Sequence, residues 1–275
     1  MRDDYNAWKK DQAHALTNFS RRDVWVMFSG GKDSSLALYF LQAASEEFEF
    51  TFEVHAGVFP QHRYAASEVS KIDSFWKKGG VEIQWHNLEA SDDSLEKADD
   101  PCAVCQQVRK LLFVEFVRRK TPSEMHNLVV VTAYTLWDLV SYSLEYIMGH
   151  NLIRSDGGNI SPGRTRFLET GQRFHSVLTM KRGYTMYRPI LKYNKGDVVR
   201  IIQQASIPIL NTPCRYARFR PKRILETYYE SRLLCFDYDR VLMFAEKCLS
   251  LPAAAEYESM SEDFLTGALE PGTLG

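Results

Sequence analysis

The chain has 275 residues, 45% of them hydrophobic and 25% charged, which is enough for one large α/β domain and excludes a wholly disordered or fibrous chain. Its 34 basic and 35 acidic residues give a formal net charge of −1, which argues against a protein that holds nucleic acid by bulk charge alone. Residues 251–275 contain five acidic residues and no Lys or Arg, so removing their charge leaves +4 for residues 1–250.

No apolar run approaches the ~18–20 residues that a membrane-spanning helix needs, and the first residues lack the apolar stretch of a secretory signal. We therefore expect a cytoplasmic protein with no membrane partner. The five cysteines are too few and too unevenly spaced for a disulfide scaffold, so the close pair Cys102 and Cys105 indicates metal or redox chemistry. Cys235 and Cys248 lie among apolar helical residues, which predicts that both are core residues.

The first half of the chain alternates between strand and helix patterns. Short apolar runs predict strands, and apolar residues spaced near 3.6 predict helices. The predicted elements are an N-terminal helix at about 5–18 within segment 1–23, strands at 24–28, 51–59, 81–88 and 127–134, and helices at 34–44, 64–78, 101–120 and 136–150. This order predicts a doubly wound, mostly parallel α/β sheet in a single domain over residues 24–250.

The second half is less regular. Its predicted elements are a long loop at 151–175, a helix at 194–207, a strand at 207–210, and helices at about 220–233 and 237–249. Segments 176–182 and 184–191, on either side of Gly183, predict either a hairpin or a strand that enters the edge of the sheet. Residues 251–275 are predicted to form an acidic flexible tail. Because long loops in compact domains are usually functional, segment 151–175 is of interest for the site.

The sequence SGGKDSS follows the first predicted strand and opens a helix. A strand, a glycine turn and a helix start direct backbone N–H groups at one anion, which predicts a phosphate site. The glycines allow close approach, the serines add hydroxyl donors, Lys32 supplies charge and Asp33 is a candidate Mg²⁺ ligand. The predicted ATP-binding residues are Ser29, Gly30, Gly31, Lys32, Asp33, Ser34 and Ser35. The spacing differs from the Walker pattern, and the alternative is an ordinary glycine turn.

Three cysteines form a second candidate site. Cys102 and Cys105 open a predicted helix on one face, and Cys214 follows about 110 residues later. Three thiolates are short of the four that close a structural zinc site, whereas a 4Fe-4S cluster on three cysteines leaves one iron open for a ligand such as sulfide. The alternatives are a zinc site completed by a histidine, a disulfide between Cys102 and Cys105, or unrelated buried thiols.

The order of these motifs resembles a known superfamily. SGGKDS is similar to the signature of the PP-loop ATP pyrophosphatases. Members of this superfamily have a Rossmann-like, adenine nucleotide alpha hydrolase-like fold, and they cleave ATP between the α and β phosphates. With C-x-x-C-x-x-x-R, R-P-hydrophobic and P-C, residues 24–235 resemble the tRNA 2-thiocytidine synthetase (TtcA-like) group. The resemblance implies ATP, Mg²⁺ and a 4Fe-4S cluster on Cys102, Cys105 and Cys214. It also implies tRNA as acceptor, sulfide or a persulfide carrier as donor, and a homodimer.

The resemblance also suggests catalytic residues, which are Lys32, Asp33, Arg109, Asp138 and Arg188. Where the family has G-H-H-x-D-D, this chain has A-Y-T-L-W-D at 133–138, so Asp138 carries whatever metal or base role the motif has. Arg109 follows the second cysteine and Arg188 belongs to the R-P motif. Either guanidinium is suited to neutralise a phosphate.

The segment 211–223 has five basic residues and no acidic one. The five basic residues are predicted to bind substrate; they are Arg215, Arg218, Arg220, Lys222 and Arg223. Interleaved aromatic residues suit a base stacked beside phosphates. The alternative is a solvated charge run at the start of a helix.

Together, these features predict an ATP-dependent, iron-sulfur-dependent sulfurtransferase that adenylates a nucleobase carbonyl and thiolates tRNA. One alternative is sulfur insertion into a non-RNA small molecule. Another is a non-catalytic nucleotide- or cluster-sensing module, motivated by the altered segment 133–138. A sulfonucleotide reductase or adenylyltransferase is a further alternative, against which the absence of the terminal cysteine signature counts.

Overall fold

The structure is a computed structural model, and it describes residues 2–87, 90–151 and 162–260. One mixed sheet contains β1 (Asp23–Met27), β2 (Phe52–Val58), β3 (Ile83–Asn87), β4 (Leu128–Val131), β5 (Val177–Thr179) and β6 (Thr185–Tyr187). The strand order is β3-β2-β1-β4-β6-β5. The pair β5 and β6 is antiparallel, which confirms the predicted hairpin, and the other neighbouring strands are parallel.

Helices cover the sheet. They are α1 (Arg2–Leu16), α2 (Lys32–Glu47), α3 (Ala66–Lys78), α4 (Asp93–Glu96), α5 (Pro101–Arg118), α6 (Pro122–Asn127), α7 (Leu136–Asn151), α8 (Pro162–Gly171), α9 (Lys195–Gln204), α10 (Pro221–Ser231), α11 (Tyr238–Cys248) and α12 (Ala254–Ser259). Single 3-10 turns occupy Gln61–Arg63, Gln172–Phe174 and Ala217–Phe219. No helix in the described ranges is long and apolar enough to cross a membrane.

The central strands are apolar on both faces. Val24 and Val26 of β1 pack in one buried cluster with Leu36 of α2. Trp25, which points the other way, packs in a second cluster with Val117 of α5. Because successive strand residues alternate between faces, each face needs its own layer of helices. This arrangement confirms the predicted doubly wound α/β fold.

The sheet has its switch point between β1 and β4. Val26 lies opposite Val54 of β2 on one side and Val131 of β4 on the other. Helices α2 and α7 follow β1 and β4, so both begin at the same edge of this parallel part of the sheet. In open α/β sheets, ligands bind at this edge, outside the point where connections diverge.

One predicted loop contains a helix. Residues 152–161 of the predicted loop 151–175 lie outside the described residues, but α8 occupies Pro162–Gly171. Phe167 of α8 is buried, and its ring lies 4.5 Å from the ring of Tyr146 on α7. The loop prediction was wrong for 162–171 because the Pro-Gly start and polar residues hide a helix that packs against α7.

Two further predictions were wrong. Residues 207–210 are not a strand; the Leu210 N–H instead makes a single backbone hydrogen bond of 2.8 Å to the Gly30 carbonyl. The first ten residues of the predicted tail contain α12, whose Tyr257 is fully buried, so that part is packed rather than mobile. Residues 261–275 of the predicted tail lie outside the described residues.

Candidate functional site

The glycine turn lies where β1 passes into α2. Gly30 has φ +69°, a conformation that glycine adopts without a steric penalty, and an added Cβ would lie 2.7 Å from the Leu210 side chain. No side chain among the described residues caps the start of α2 at Gly31. The first N–H groups of a helix have no partner within the helix, so this uncapped start is suited to bind an anion.

The serines of the turn do not all face outward. The Ser34 hydroxyl lies 3.0 Å from the Ser29 hydroxyl and donates to the Gly31 carbonyl at 3.0 Å. Ser35 is fully buried. Ser34 and Ser35 therefore lie on the inner side of the turn, and their donation of hydrogen bonds to a phosphate stays a prediction. Ser29 is half-buried and stays a candidate donor.

Lys32 and Asp33 face each other beside the turn. The Lys32 ammonium lies 2.8 and 2.9 Å from the two carboxylate oxygens of Asp33. Their side chains are 23% and 25% exposed. The ammonium predicted to contact phosphate is thus paired with the carboxylate predicted to bind Mg²⁺, and both are open to solvent on one side.

Helix α5 and the turn at 217–219 bring the three cysteines into one neighbourhood. The Cys102 thiol donates to the Tyr216 carbonyl at 3.4 Å, two residues beyond Cys214. Burial raises the pKa of Cys102, and the neighbouring Cys214 raises it further. Burial also raises the pKa of Cys105, with the exposed Arg109 opposing the rise and Cys214 adding to it. The three partly buried thiols therefore act on one another.

Among the described residues, the three thiols do not form a site for a single metal ion. Within residues 2–87, 90–151 and 162–260, no three His, Cys, Asp or Glu side chains form a group that could hold a metal ion. A Zn²⁺ ion needs its ligands at about 2.0–2.3 Å from one point, whereas a 4Fe-4S cluster offers a separate iron to each cysteine. His62 lies beside Cys214, but its Nε2 accepts the Arg215 N–H at 3.1 Å, so it does not complete a zinc site.

Cys235 and Cys248 are exposed free thiols. This corrects the prediction that they belong to the core. Helix α11 buries Ala245, while Cys248 in the next turn faces solvent. Apolar neighbours in the sequence did not reveal that Cys235 lies in the connection between α10 and α11, or that Cys248 occupies the exposed face of α11.

The two exposed cysteines serve as a reference for the reactivity of the partly buried thiols. In the reduced chain without a cluster, we expect iodoacetamide to modify Cys235 and Cys248 first. Cys102 and Cys105 should react about tenfold more slowly at neutral pH, because they are partly buried and their raised pKa values lower the thiolate fraction. Peptide mass spectrometry over time measures this order. Modification of Cys102 as fast as Cys235 would contradict it.

Hydrogen bonds fasten the loop that carries Cys214 to the region after β2. Glu68 accepts the N–H groups of Asn211 and Thr212 and the Thr212 hydroxyl, at 3.0, 3.3 and 2.8 Å. His62 accepts the Arg215 N–H and pairs with Asp92 through Nδ1 at 2.7 Å. The sequence does not reveal that Glu68, His62 and Asp92 hold this loop. No motif marks them, since their partners lie more than 140 residues away or in an unrelated loop.

Asp138 is buried in an ion pair. Its carboxylate accepts the Thr135 N–H and hydroxyl, each at 2.9 Å, and contacts the Lys222 ammonium. Lys222 also lies 3.3 Å from Glu226. The Lys222 side chain is enclosed, so its predicted contact with substrate would require this ion pair to open. The predicted metal or base role of Asp138 would require displacement of this ammonium.

Arg188 is also enclosed, at 1% exposure. Its guanidinium donates to the His175 carbonyl and to the Gln172 side-chain oxygen, both at 2.9 Å. Burial lowers the pKa of Arg188 to about 10. Arg188 therefore connects the end of β6 to residues 172–175, and its role in neutralising a phosphate stays a prediction.

Four arginines leave a basic surface beside Cys214. The exposed members of the predicted segment are Arg215, Arg218, Arg220 and Arg223. The Arg218 guanidinium lies 4.9 Å from the Phe219 ring centroid. A stacked guanidinium and ring offer a flat surface to a nucleobase.

Comparison with known proteins gives structural rather than sequence matches. No protein-family model and no curated protein matches the chain. The U34-tRNA thiolase NcsA from Methanococcus maripaludis, solved with its [4Fe-4S] cluster, is similar with TM-score 0.60 and 13% identity, over 98% of this chain and 91% of the thiolase.

Two synthetases match more loosely. NMN synthetase from Francisella tularensis gives TM-score 0.43 and 12% identity over 98% of both chains. NH3-dependent NAD synthetase from Campylobacter jejuni gives 0.43 and 12%, over 94% of this chain and 96% of the synthetase.

The likeness to the thiolase, which is a PP-loop enzyme, confirms the predicted fold. The chain and the thiolase share a doubly wound α/β fold, as the order of strands and helices predicts. The narrower resemblance to the tRNA 2-thiocytidine synthetase group stays a prediction.

Proposed function

We propose that the chain is an ATP-dependent sulfurtransferase that activates a nucleobase carbonyl, in tRNA, and replaces its oxygen with sulfur. The observation that carries the proposal is a backbone hydrogen bond between the glycine turn and the segment that leads to Cys214. The Leu210 N–H donates to the Gly30 carbonyl at 2.8 Å, four residues before Cys214. A nucleotide at the glycine turn and sulfur chemistry at the cysteines would therefore share one region of the molecule.

The reaction has two displacements. The nucleobase oxygen bonds to the α-phosphorus of ATP and pyrophosphate leaves; sulfide then bonds to the activated carbon and AMP leaves with the oxygen. Gly30 and Gly31 would let the phosphates approach the start of α2, and Lys32 would offset the charge on the departing pyrophosphate. Asp33 is the candidate Mg²⁺ ligand once a phosphate has engaged Lys32.

Cys102, Cys105 and Cys214 would hold a 4Fe-4S cluster. When bound, the cluster supplies an iron without a cysteine ligand, to which sulfide can coordinate. Arg109, whose charge already acts on Cys105, would offset negative charge there. The exposed arginines at 215–223 would bind the phosphates of tRNA, and sulfide or a persulfide carrier would supply sulfur. The thiolase likeness supports this reading.

The test begins with anaerobic purification. We expect the full chain to contain iron and acid-labile sulfide in equal amounts and to show cluster absorbance. Cys102→Ala, Cys105→Ala and Cys214→Ala should each lose most of it, because the three thiols are the proposed ligands. Cys248→Ser is the matched control, since that thiol is exposed and remote in sequence. The proposal would be overturned if each of the three alanine variants contained as much iron as the unmodified chain.

A second candidate function is favoured by one observation. The buried Lys222 ammonium pairs with the Asp138 carboxylate. In this arrangement the carboxylate is not available to bind a metal ion. We therefore also consider a module that binds nucleotide or cluster without turnover. Release of pyrophosphate from ATP in the presence of bulk tRNA favours the sulfurtransferase; its absence with every acceptor tested, despite full iron content, favours the module.

A further inference from the structure

We propose that His62 and Glu68 are positioning residues for Cys214. They hold residues 211–215 against the segment that follows β2, so that the third thiol faces Cys102 and Cys105 before any ligand binds. The purpose of this arrangement rests on the proposed function, but the arrangement itself is a property of the chain without cluster, nucleotide or acceptor.

Residues 211–214 belong to no helix or strand. A segment without a ladder must satisfy its backbone N–H groups elsewhere. Glu68 meets this need at one end of the segment, where its two carboxylate oxygens accept three hydrogen bonds from Asn211 and Thr212. Burial alone would raise the pKa of Glu68, but these hydrogen bonds lower it. Glu68 is therefore ionised and accepts from both residues at neutral pH.

His62 fixes the other end. The Arg215 N–H can only donate, so the Nε2 atom that receives it, at 3.1 Å, must be unprotonated. Nδ1 therefore carries the proton and donates to Asp92 at 2.7 Å. Asp92 also accepts the backbone N–H groups of Gln61 and His62, at 2.8 and 2.9 Å. The imidazole is thus locked in one tautomer and one orientation, with its side chain 4% exposed.

The two attachments lie on either side of Cys214. Thr212 is held two residues before it and Arg215 one residue after it. On the opposite side, the Cys102 thiol reaches the Tyr216 carbonyl. Cys214 is therefore placed between the segment after β2 and the start of α5 by contacts that involve none of its own side-chain atoms.

The test measures how often the thiols meet. The full reduced chain with Cys235→Ser and Cys248→Ser is the parent, because those exposed thiols would compete. Dibromobimane links two nearby thiols, and peptide mass spectrometry separates the Cys102–Cys105 bridge from bridges to Cys214. We expect His62→Ala and Glu68→Ala each to slow bridges to Cys214 about tenfold, which corresponds to about 1.4 kcal/mol. The Cys102–Cys105 bridge should be unchanged, since both thiols lie on α5.

Conservative variants separate positioning from a general structural role. The oxygen of Gln at position 62 can replace Nε2 as acceptor for Arg215, whereas the amide of Asn can replace Nδ1 as donor to Asp92. We expect His62→Gln to restore most of the bridging rate and His62→Asn to restore little. Asp237→Ala, which removes a capping bond of 2.9 Å to Arg240 on α11, is the matched control and should leave all bridges unchanged.

Three results would overturn the proposal: parental rates of Cys214 bridging in both alanine variants, equal loss of the Cys102–Cys105 bridge, or better rescue by Asn than by Gln. None of these readouts uses iron, ATP or tRNA. A chain that bound no cluster would refute the proposed function while leaving the bridging result intact.

Discussion

Gly30→Ala is expected to destabilise the protein by about 2–5 kcal/mol and to abolish measurable ATP binding. The left-handed conformation at φ +69° costs an alanine about 1–2 kcal/mol. A Cβ 2.7 Å from Leu210 Cγ and Cδ1 forces that side chain to move, and overpacking of this kind costs about 1–3 kcal/mol. Chemical denaturation measures the first effect, and calorimetric titration with ATP measures the second.

Gly80→Ala is the matched control for the backbone term. Gly80 has φ +79°, but nothing lies within 4 Å of an added Cβ, so only about 1–2 kcal/mol should be lost. In a Leu210→Ala background, where the contact is already removed, Gly30→Ala should cost only this backbone contribution relative to Leu210→Ala alone. Equal destabilisation by Gly30→Ala and Gly80→Ala would show that Leu210 does not press on the turn.

Lys222→Met is expected to cost about 3–5 kcal/mol, because it leaves the Asp138 carboxylate buried without its cation. Lys9→Met is the matched control. Lys9 pairs with Glu47 at 2.6 Å, but the side chains are 31% and 44% exposed, so the loss should stay below about 1 kcal/mol. Urea denaturation of both variants measures the difference. A loss for Lys222→Met no larger than that for Lys9→Met would contradict the buried pair.

The same pair predicts a pH dependence. Burial alone would raise the pKa of Asp138, but the charge of Lys222 and the hydrogen bonds from Lys222 and Thr135 lower it to about 2. Since the folded-state pKa lies below the ordinary value of 3.8, the stabilisation is complete above about pH 4 and is lost as pH falls toward 2. In the double variant Asp138→Leu with Lys222→Met, this part of the acid dependence should be absent.

The sequence was informative where local pattern determines structure. The apolar runs of β1 and β4 lie between helices, so they must be buried on both faces, and that requirement predicted the doubly wound sheet. Gly30 was predicted to permit a tight turn, and its positive φ confirms this. The helix carrying Cys102 and Cys105 was predicted from its spacing, and Asp100 caps it by accepting the Cys102 N–H at 3.0 Å.

The errors arose where distant residues decide the environment. Lys222 was grouped with the neighbouring arginines as a substrate contact, and only the position of Asp138, 84 residues earlier, gives it a buried partner. Arg188 looked free to meet a phosphate, but acceptors at 172 and 175 surround it. The burial of Ser35 likewise depends on how α2 packs against the sheet. Such placements follow from tertiary packing, which local spacing does not encode.

The bond from Leu210 to Gly30 uses only main-chain atoms, so it persists whatever side chains occupy the two positions. Proline at 210 is the one natural substitution that deletes the donor outright. In the proposed function, a nucleotide that shifts the Gly30 carbonyl while this bond is kept would also shift the peptide that leads to Cys214. By thermodynamic reciprocity, whatever occupies the sulfur atoms then alters nucleotide affinity by the same factor. The nucleotide and the ligand of the cysteines would each change the affinity of the chain for the other through one backbone hydrogen bond.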